Sequence, residues 1–209
     1  MVKCILTLVL LAPLIATPAL ADPAAEARAF VEDGVDRGIA ILEETQPDDP
    51  ARAERFRAFL GEIVDSRSVA LFALGPYRRG ADPALLDAYV ESFRRYATAS
   101  YESRLGDYGG QTIAVVNAVA RSDKDVLVDG VIRSASGEDL AQVAFRIIRA
   151  PDGLRLFDLR VEGIWLAVEQ RNQFSAYLGR NNGDIQRLID YLDTETNRLN
   201  KGGTEIAEG

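Results

Sequence analysis

The stretch FDLRVEGIWLAVEQR, residues 157–171, brings Asp158, Arg160, Glu162 and Arg171 close together in the chain. Two carboxylates can exchange protons with a substrate, and a guanidinium can hold an anion in a planar fork. The residues around them decide whether this is catalysis. The chain has no histidine, and its single cysteine, Cys4, lies in the first apolar run. A Ser-His-Asp triad is therefore impossible, and so are Cys–His pairs and His- or Cys-containing zinc sites. Carboxylates, lysine, tyrosine and serine remain, with no spacing that makes a catalytic set or a metal site. Asp158, Arg160, Glu162, Gly163 and Arg171 read instead as a structural corner, an ion-pair network around a turn. Asp65 with Arg78 or Arg79 reads as a similar tie.

The elements that would position that corner follow from periodicity. Ala27, Phe30, Val31, Val35, Ile39 and Leu42 mark a helix over 24–44, weakened by Gly34 and Gly38. QPDDP breaks it, and Phe56, Phe59, Leu60, Ile63 and Val64 mark a second helix. SVALFALGPY, 68–77, reads as a short buried helix. Asp82-Pro83 then supplies an N-cap and a first-turn proline for a helix of about 25 residues. After Gly109-Gly110 the period becomes two. Strands are expected at 111–120, 125–135, 139–150 and 154–163, joined by hairpin-length turns. Helices from Trp165 and around Ile185–Leu192 close the domain. This is an α+β fold around a four-stranded antiparallel meander. The first strand is apolar on both faces, so helices are expected to cover both sides of the sheet. Its small residues leave two possibilities open, close helix packing or an apolar cavity.

The flanks carry different signals. Lys3, the apolar run Ile5–Ile15 and Ala19-Leu20-Ala21 have the pattern of a secretory signal cleaved after Ala21. That leaves a single domain at 22–195 and a polar, disordered tail at 196–209. Without Lys3 there are 23 basic and 32 acidic side chains, a net charge of −9. Such a chain repels nucleic acid, which is not expected as a partner.

The ordered set of parts resembles a known family. Leu74-Gly75 with Tyr77 and Arg78, aromatic Phe93 and Tyr101, then Asp158-Leu159-Arg160-Val161-Glu162-Gly163, Leu166 and Arg171-Asn172-Gln173-Phe174 are similar to the MlaC (toluene-tolerance) family. These are periplasmic phospholipid-binding proteins, with the hopanoid-associated HpnM proteins as relatives. The chain departs from the family where Arg78 replaces a common tryptophan and Trp165 a small residue. The resemblance implies an NTF2-like outline with an apolar pocket for diacyl phospholipid, no cofactor and no catalysis. It also implies periplasmic location and two partners. One is an inner-membrane ABC transporter with an MCE-domain subunit, the other an outer-membrane lipoprotein complex. The expected pocket wall is Val69, Phe72, Leu74, Tyr77, Phe93, Tyr96, Tyr101, Val116, Val143, Phe145 and Ile147, with the tyrosines offering hydroxyl tips. About thirty tail methylenes would contribute on the order of 24 kcal/mol before ordering costs. A hopanoid carrier and a small NTF2-like exported enzyme are the alternative readings.

Overall fold

The structure, a computed structural model, describes residues 22–47, 49–103 and 105–207, with side chains up to 201. The expected signal sequence lies outside the described residues. Among the described residues four helices come first: α1 (Pro23–Glu44), α2 (Pro50–Ile63), α3 (Ser66–Leu74) and α4 (Pro83–Glu102). Three of them start on the same device. Asp22, Asp49 and Asp82 each accept a backbone N–H from two residues on, at 3.0, 2.8 and 2.9 Å, with proline at the first helical position. The proline lacks only a donor that the first turn leaves unpaired anyway. Asp65 caps α3 through Ser68 N at 3.0 Å and Arg78 donates to Leu71 O, so among the described residues the expected ion pair of Asp65 with Arg78 or Arg79 is not formed.

The meander follows as β1 (Thr112–Ser122), β2 (Asp125–Arg133), β3 (Asp139–Ala150) and β4 (Gly153–Val161), antiparallel and in sequence order. A fifth strand, β5 (Ile164–Trp165), corrects the expected four. It forms because Glu162 and Gly163 both take positive φ, 47° and 83°, and fold the chain back on β4. Two helices end the fold, α5 (Leu166–Arg180) and α6 (Ile185–Ala207). The helix α6 continues past 195, where a disordered tail was expected. Thr196 is buried and its hydroxyl donates to Leu192 O at 2.7 Å, which carries the helix onward. By contrast α4 is 20 residues long, shorter than its apolar stripe suggested. It gives way to a 3-10 turn at Leu105–Asp107.

Register sorts the sheet into two unlike faces. Val126, Val128 and Gly130 stand opposite Ile147, Phe145 and Val143, and all six share the face under α1. A Cβ at Gly130 would sit 3.1 Å from Ala114 O and 3.3 Å from a Val143 methyl, so only glycine fits between the strands there. The other face carries Arg146 on Asp125 at 2.9 Å and Arg160 on Asp129 at 3.1 Å. The expectation of helical cover on both faces is thus corrected. On that second face α3 packs on β4 and α5 on β4 and β5, at one edge of the sheet. Ala144, wholly buried, lies in register between Asp129 and Arg160, and arginine stems shield small apolar residues as well as a helix would.

Two apolar cores result among the described residues. One joins α1 to the inner sheet face. The other is a helical bundle of α3 to α6 built on Leu74, Tyr89, Phe93, Phe174, Leu178 and Leu192. There Phe174 meets Phe93 edge-on at 6.2 Å, and the Tyr89 hydroxyl donates to Ala70 O at 3.0 Å. Burial pushes the Tyr89 phenol far above its ordinary value.

Candidate functional site

Between α1, α2 and the inner sheet face lies a cavity of about 260 Å³. Its wall has fourteen residues, every one apolar or glycine. Phe30, Val31, Val35, Ile39 and Leu42 come from α1, Phe56, Phe59 and Ile63 from α2, and Ile113, Phe145, Ile147 and Leu156 from the sheet. Gly34 and Gly38 complete it. On the helical wheel Gly34 lies on the stripe of Ala27, Val31 and Ile41, all buried. A Cβ built on it nevertheless meets nothing within 4 Å, while one on Gly38 touches the Phe59 ring at 3.5 Å. The two glycines, one turn apart on the apolar stripe, are what leaves the space open. An apolar cavity of about 150 Å³ stays dry and takes benzene. By that measure this one takes a hydrocarbon segment of about ten carbons.

The wall differs from the one expected. Phe145 and Ile147 line the cavity, and Val143 is buried on the same sheet face beside Gly130. Leu74 and Phe93 are buried in the helical bundle, with Val69, Tyr77 and Tyr96 packed against them. Phe72 meets Phe157 edge-on at 5.5 Å on the far side of the sheet. Tyr101 is exposed, and Val116 is thrown outward by a bulge in β1. Apolar periodicity marks which side chains are buried but not which of two cores receives them. The α1 and α2 residues that do form the wall were visible as helix stripes. The missed signal was the Gly34–Gly38 pair within one of them.

The corner is architectural, though it is not an ion-pair network. Asp158, 6% exposed, accepts Ala167 N at 2.8 Å and Leu159 N at 2.9 Å, so it caps α5 from the preceding strand. Glu162 accepts Gln142 N at 2.6 Å. Arg160 pairs with Asp129 and lies over the Trp165 ring, and Arg171 lies over Phe72. Gly163 supplies the turn into β5. Each charged side chain thus holds a different element, and none of them lines the cavity.

Asp158 gives the corner a pH signature. Burial pushes its carboxyl above the ordinary 3.8, against the opposing pull of the two N–H groups and the Arg146 charge. A group with a raised folded pKa contributes stability that is complete below 3.8 and is lost as pH rises through the folded value. Asp158→Asn removes that dependence. Urea midpoints measured from about pH 4 upward should therefore show the variant gaining on the parent as pH rises. A variant that loses ground over that window would mean the N–H groups outweigh burial.

The geometry has relatives. A family model described as MlaC protein matches residues 32–194. The toluene tolerance protein ttg2D of Pseudomonas putida is 26% identical over 132 residues, which is 63% of this chain and 61% of that protein. The match thus spans less than two thirds of that relative. A phospholipid-binding protein from Ralstonia solanacearum, solved in complex with a phospholipid, superposes with a TM-score of 0.73. It is 23% identical, and the match covers 83% of this chain and 98% of that one. At that identity the likeness establishes the fold.

Proposed function

The chain belongs to the MlaC family, and on that premise we propose that it is a periplasmic phospholipid carrier that holds acyl chain in the α1–α2–sheet cavity. The observation that carries this reading is the wall itself. Fourteen residues from α1, α2 and the sheet line a half-open space with no polar side chain among them. An all-apolar lining of that kind suits hydrocarbon and offers nothing to a polar substrate. The alternative of a small exported enzyme would need an acid in the cavity, and the wall holds none.

Ten buried methylenes stabilise a bound tail by about 8 kcal/mol gross, before ordering costs. The two tails of a diacyl phospholipid carry about three times as many, more than the cavity takes as it stands. Loading a whole lipid therefore means parting α1 and α2 from the sheet, and release is slow unless a partner does the parting. Those partners are proposed to be the inner-membrane ABC transporter with its MCE-domain subunit and the outer-membrane lipoprotein complex, with the carrier shuttling between them. No described helix is long and apolar enough to cross a membrane.

Native mass spectrometry with lipid extraction, on protein purified from a bacterial periplasm without detergent, tests the proposal. The expected result is an added mass equal to a diacyl phospholipid. A bare chain that takes up no phospholipid from vesicles would reject it.

A further inference from the structure

A wall without polar side chains leaves a lipid headgroup outside it, so the charged residues bordering the wall decide which headgroup is tolerated. Three of them meet where α1 and α2 come together. Asp33 precedes Gly34, Arg37 precedes Gly38, and Glu62 precedes Ile63, each a neighbour of a wall residue. Arg37 reaches across to pair with Glu62 and lies 3.6 Å from Asp33 on its own helix. Its guanidinium also sits over the ring of Phe59, 5.4 Å from the centroid, and Phe59 is part of the wall. All three side chains are exposed, at 43%, 62% and 67% for Arg37, Glu62 and Asp33. The trio carries a net charge of −1. Around it, residues 22–62 hold eleven acidic and five basic side chains.

We infer that Arg37, Glu62 and Asp33 form a headgroup subsite that takes a zwitterionic phosphate–ammonium headgroup in preference to an anionic one. The inference rests on the lipid reading of the cavity and deepens it. Arriving phosphate replaces Glu62 on the Arg37 guanidinium, and the ammonium replaces the guanidinium on Glu62 and Asp33. Every charge keeps a partner. An anionic headgroup such as phosphoglycerol supplies the phosphate but no cation. It leaves two carboxylates unpaired beside a negative ligand, in a part of the surface that is already acidic.

The test uses the whole protein and vesicles of phosphatidylethanolamine or phosphatidylglycerol with identical tails, reading bound lipid by native mass spectrometry in low salt. The parent should load the ethanolamine lipid in about two- to fivefold preference, the span that an exposed ion pair provides. Raising the salt should shrink the ratio. Phosphatidylcholine should share the preference if the ammonium charge alone is read, and a choline preference as weak as that for glycerol would overturn the assignment. The Asp33→Asn, Glu62→Gln double variant should lose the preference while still loading lipid. Glu44→Gln is the control, because Glu44 pairs with Arg55 across the same two helices but borders no part of the trio. A fall in the control equal to that in the double variant would make the effect one of general surface charge and overturn the subsite. A parent that loads both lipids equally would overturn it too, leaving the carrier reading intact. A parent that loads neither would overturn both.

Discussion

Gly34→Trp abolishes phospholipid loading and leaves the protein at least as stable as before. Gly34 sits on the inward stripe of α1 between Val31 and Ile41, yet a Cβ there meets open space within 4 Å. A side chain at 34 therefore grows into the cavity and displaces nothing. An indole is half again the size of benzene, and it takes up most of the about 260 Å³. If it excludes about six of the ten tail carbons, the loss is about 5 kcal/mol, or about three-thousandfold in affinity. Stability moves the other way. Glycine inside a helix costs about 0.5 kcal/mol relative to an aromatic residue, and the ring gains apolar contacts it lacks in the unfolded chain. Thermal unfolding should shift upward by a few degrees. Gly34→Ala separates the two effects, since a single methyl raises helix stability and leaves most of the space. Normal lipid loading in Gly34→Trp would show that the tails bind elsewhere.

The opposed effects explain why the cavity was harder to read than the fold. The strands were legible because period-two alternation and short Ser/Asp/Gly/Pro turns both fix the meander, and the helix starts because Asp-Pro sets a cap and a first turn together. Wall residues have no such double signal. Phe93 repeats at helical spacing on α4 and Phe145 alternates on β3, and both patterns report burial alone. One meets Phe174 in a solid bundle, the other faces space. What distinguishes a cavity is an apolar stripe with side chains missing, as at Gly34 and Gly38. Their helix cost reads as weakness unless the hole itself is useful. Cover of the sheet was misjudged for a related reason. Ala144 is as buried as any core residue, although charged partners from Arg160 and Asp129 flank it in register.

The corner carried the family resemblance and its residues hold structure, while the proposed binding chemistry lies about the first two helices. The most legible stretch of the chain is thus the one that seats α5 on β4. Backbone N–H groups, a cation over an aromatic ring and a positive-φ turn each demand a particular residue type. A hydrocarbon wall demands only apolar side chains of fitting size, so many sequences satisfy it equally well. Specificity then has to come from polar groups outside the wall, which is why three exposed side chains at the α1–α2 seam matter more for ligand choice than any residue within it.

Arg52→Ala should be the most destabilising of the single substitutions considered, by about 3–5 kcal/mol. Arg52 is 4% exposed, and among the described residues no carboxylate lies within 4.0 Å of it. Its guanidinium is satisfied by oxygens from separate segments instead. It donates to Thr45 Oγ1 at 3.1 Å, Thr45 O at 2.8 Å, Leu42 O at 2.5 Å and Leu105 O at 2.9 Å. The Leu42 and Thr45 carbonyls are at the C-terminus of α1, where the helix dipole is negative and the last turn has no basic residue of its own. One side chain on α2 thereby fastens α1, α2 and the turn after α4. The sequence does mark it, since Arg52 stands four residues before Phe56 and seven before Phe59, on the apolar stripe of α2. Truncation leaves a buried hydroxyl and three carbonyls short of a donor. Arg52→Lys should cost less, about 1.5–3 kcal/mol, because one ammonium keeps the charge but lacks the planar fork that reaches separate segments. Urea denaturation gives both values. Leu42 also lines the cavity, so releasing its carbonyl loosens that end of the wall and should speed exchange of bound lipid with vesicles. A variant within about 1 kcal/mol of the parent would mean that water replaces the guanidinium, and that the α1–α2 hairpin is held by packing alone.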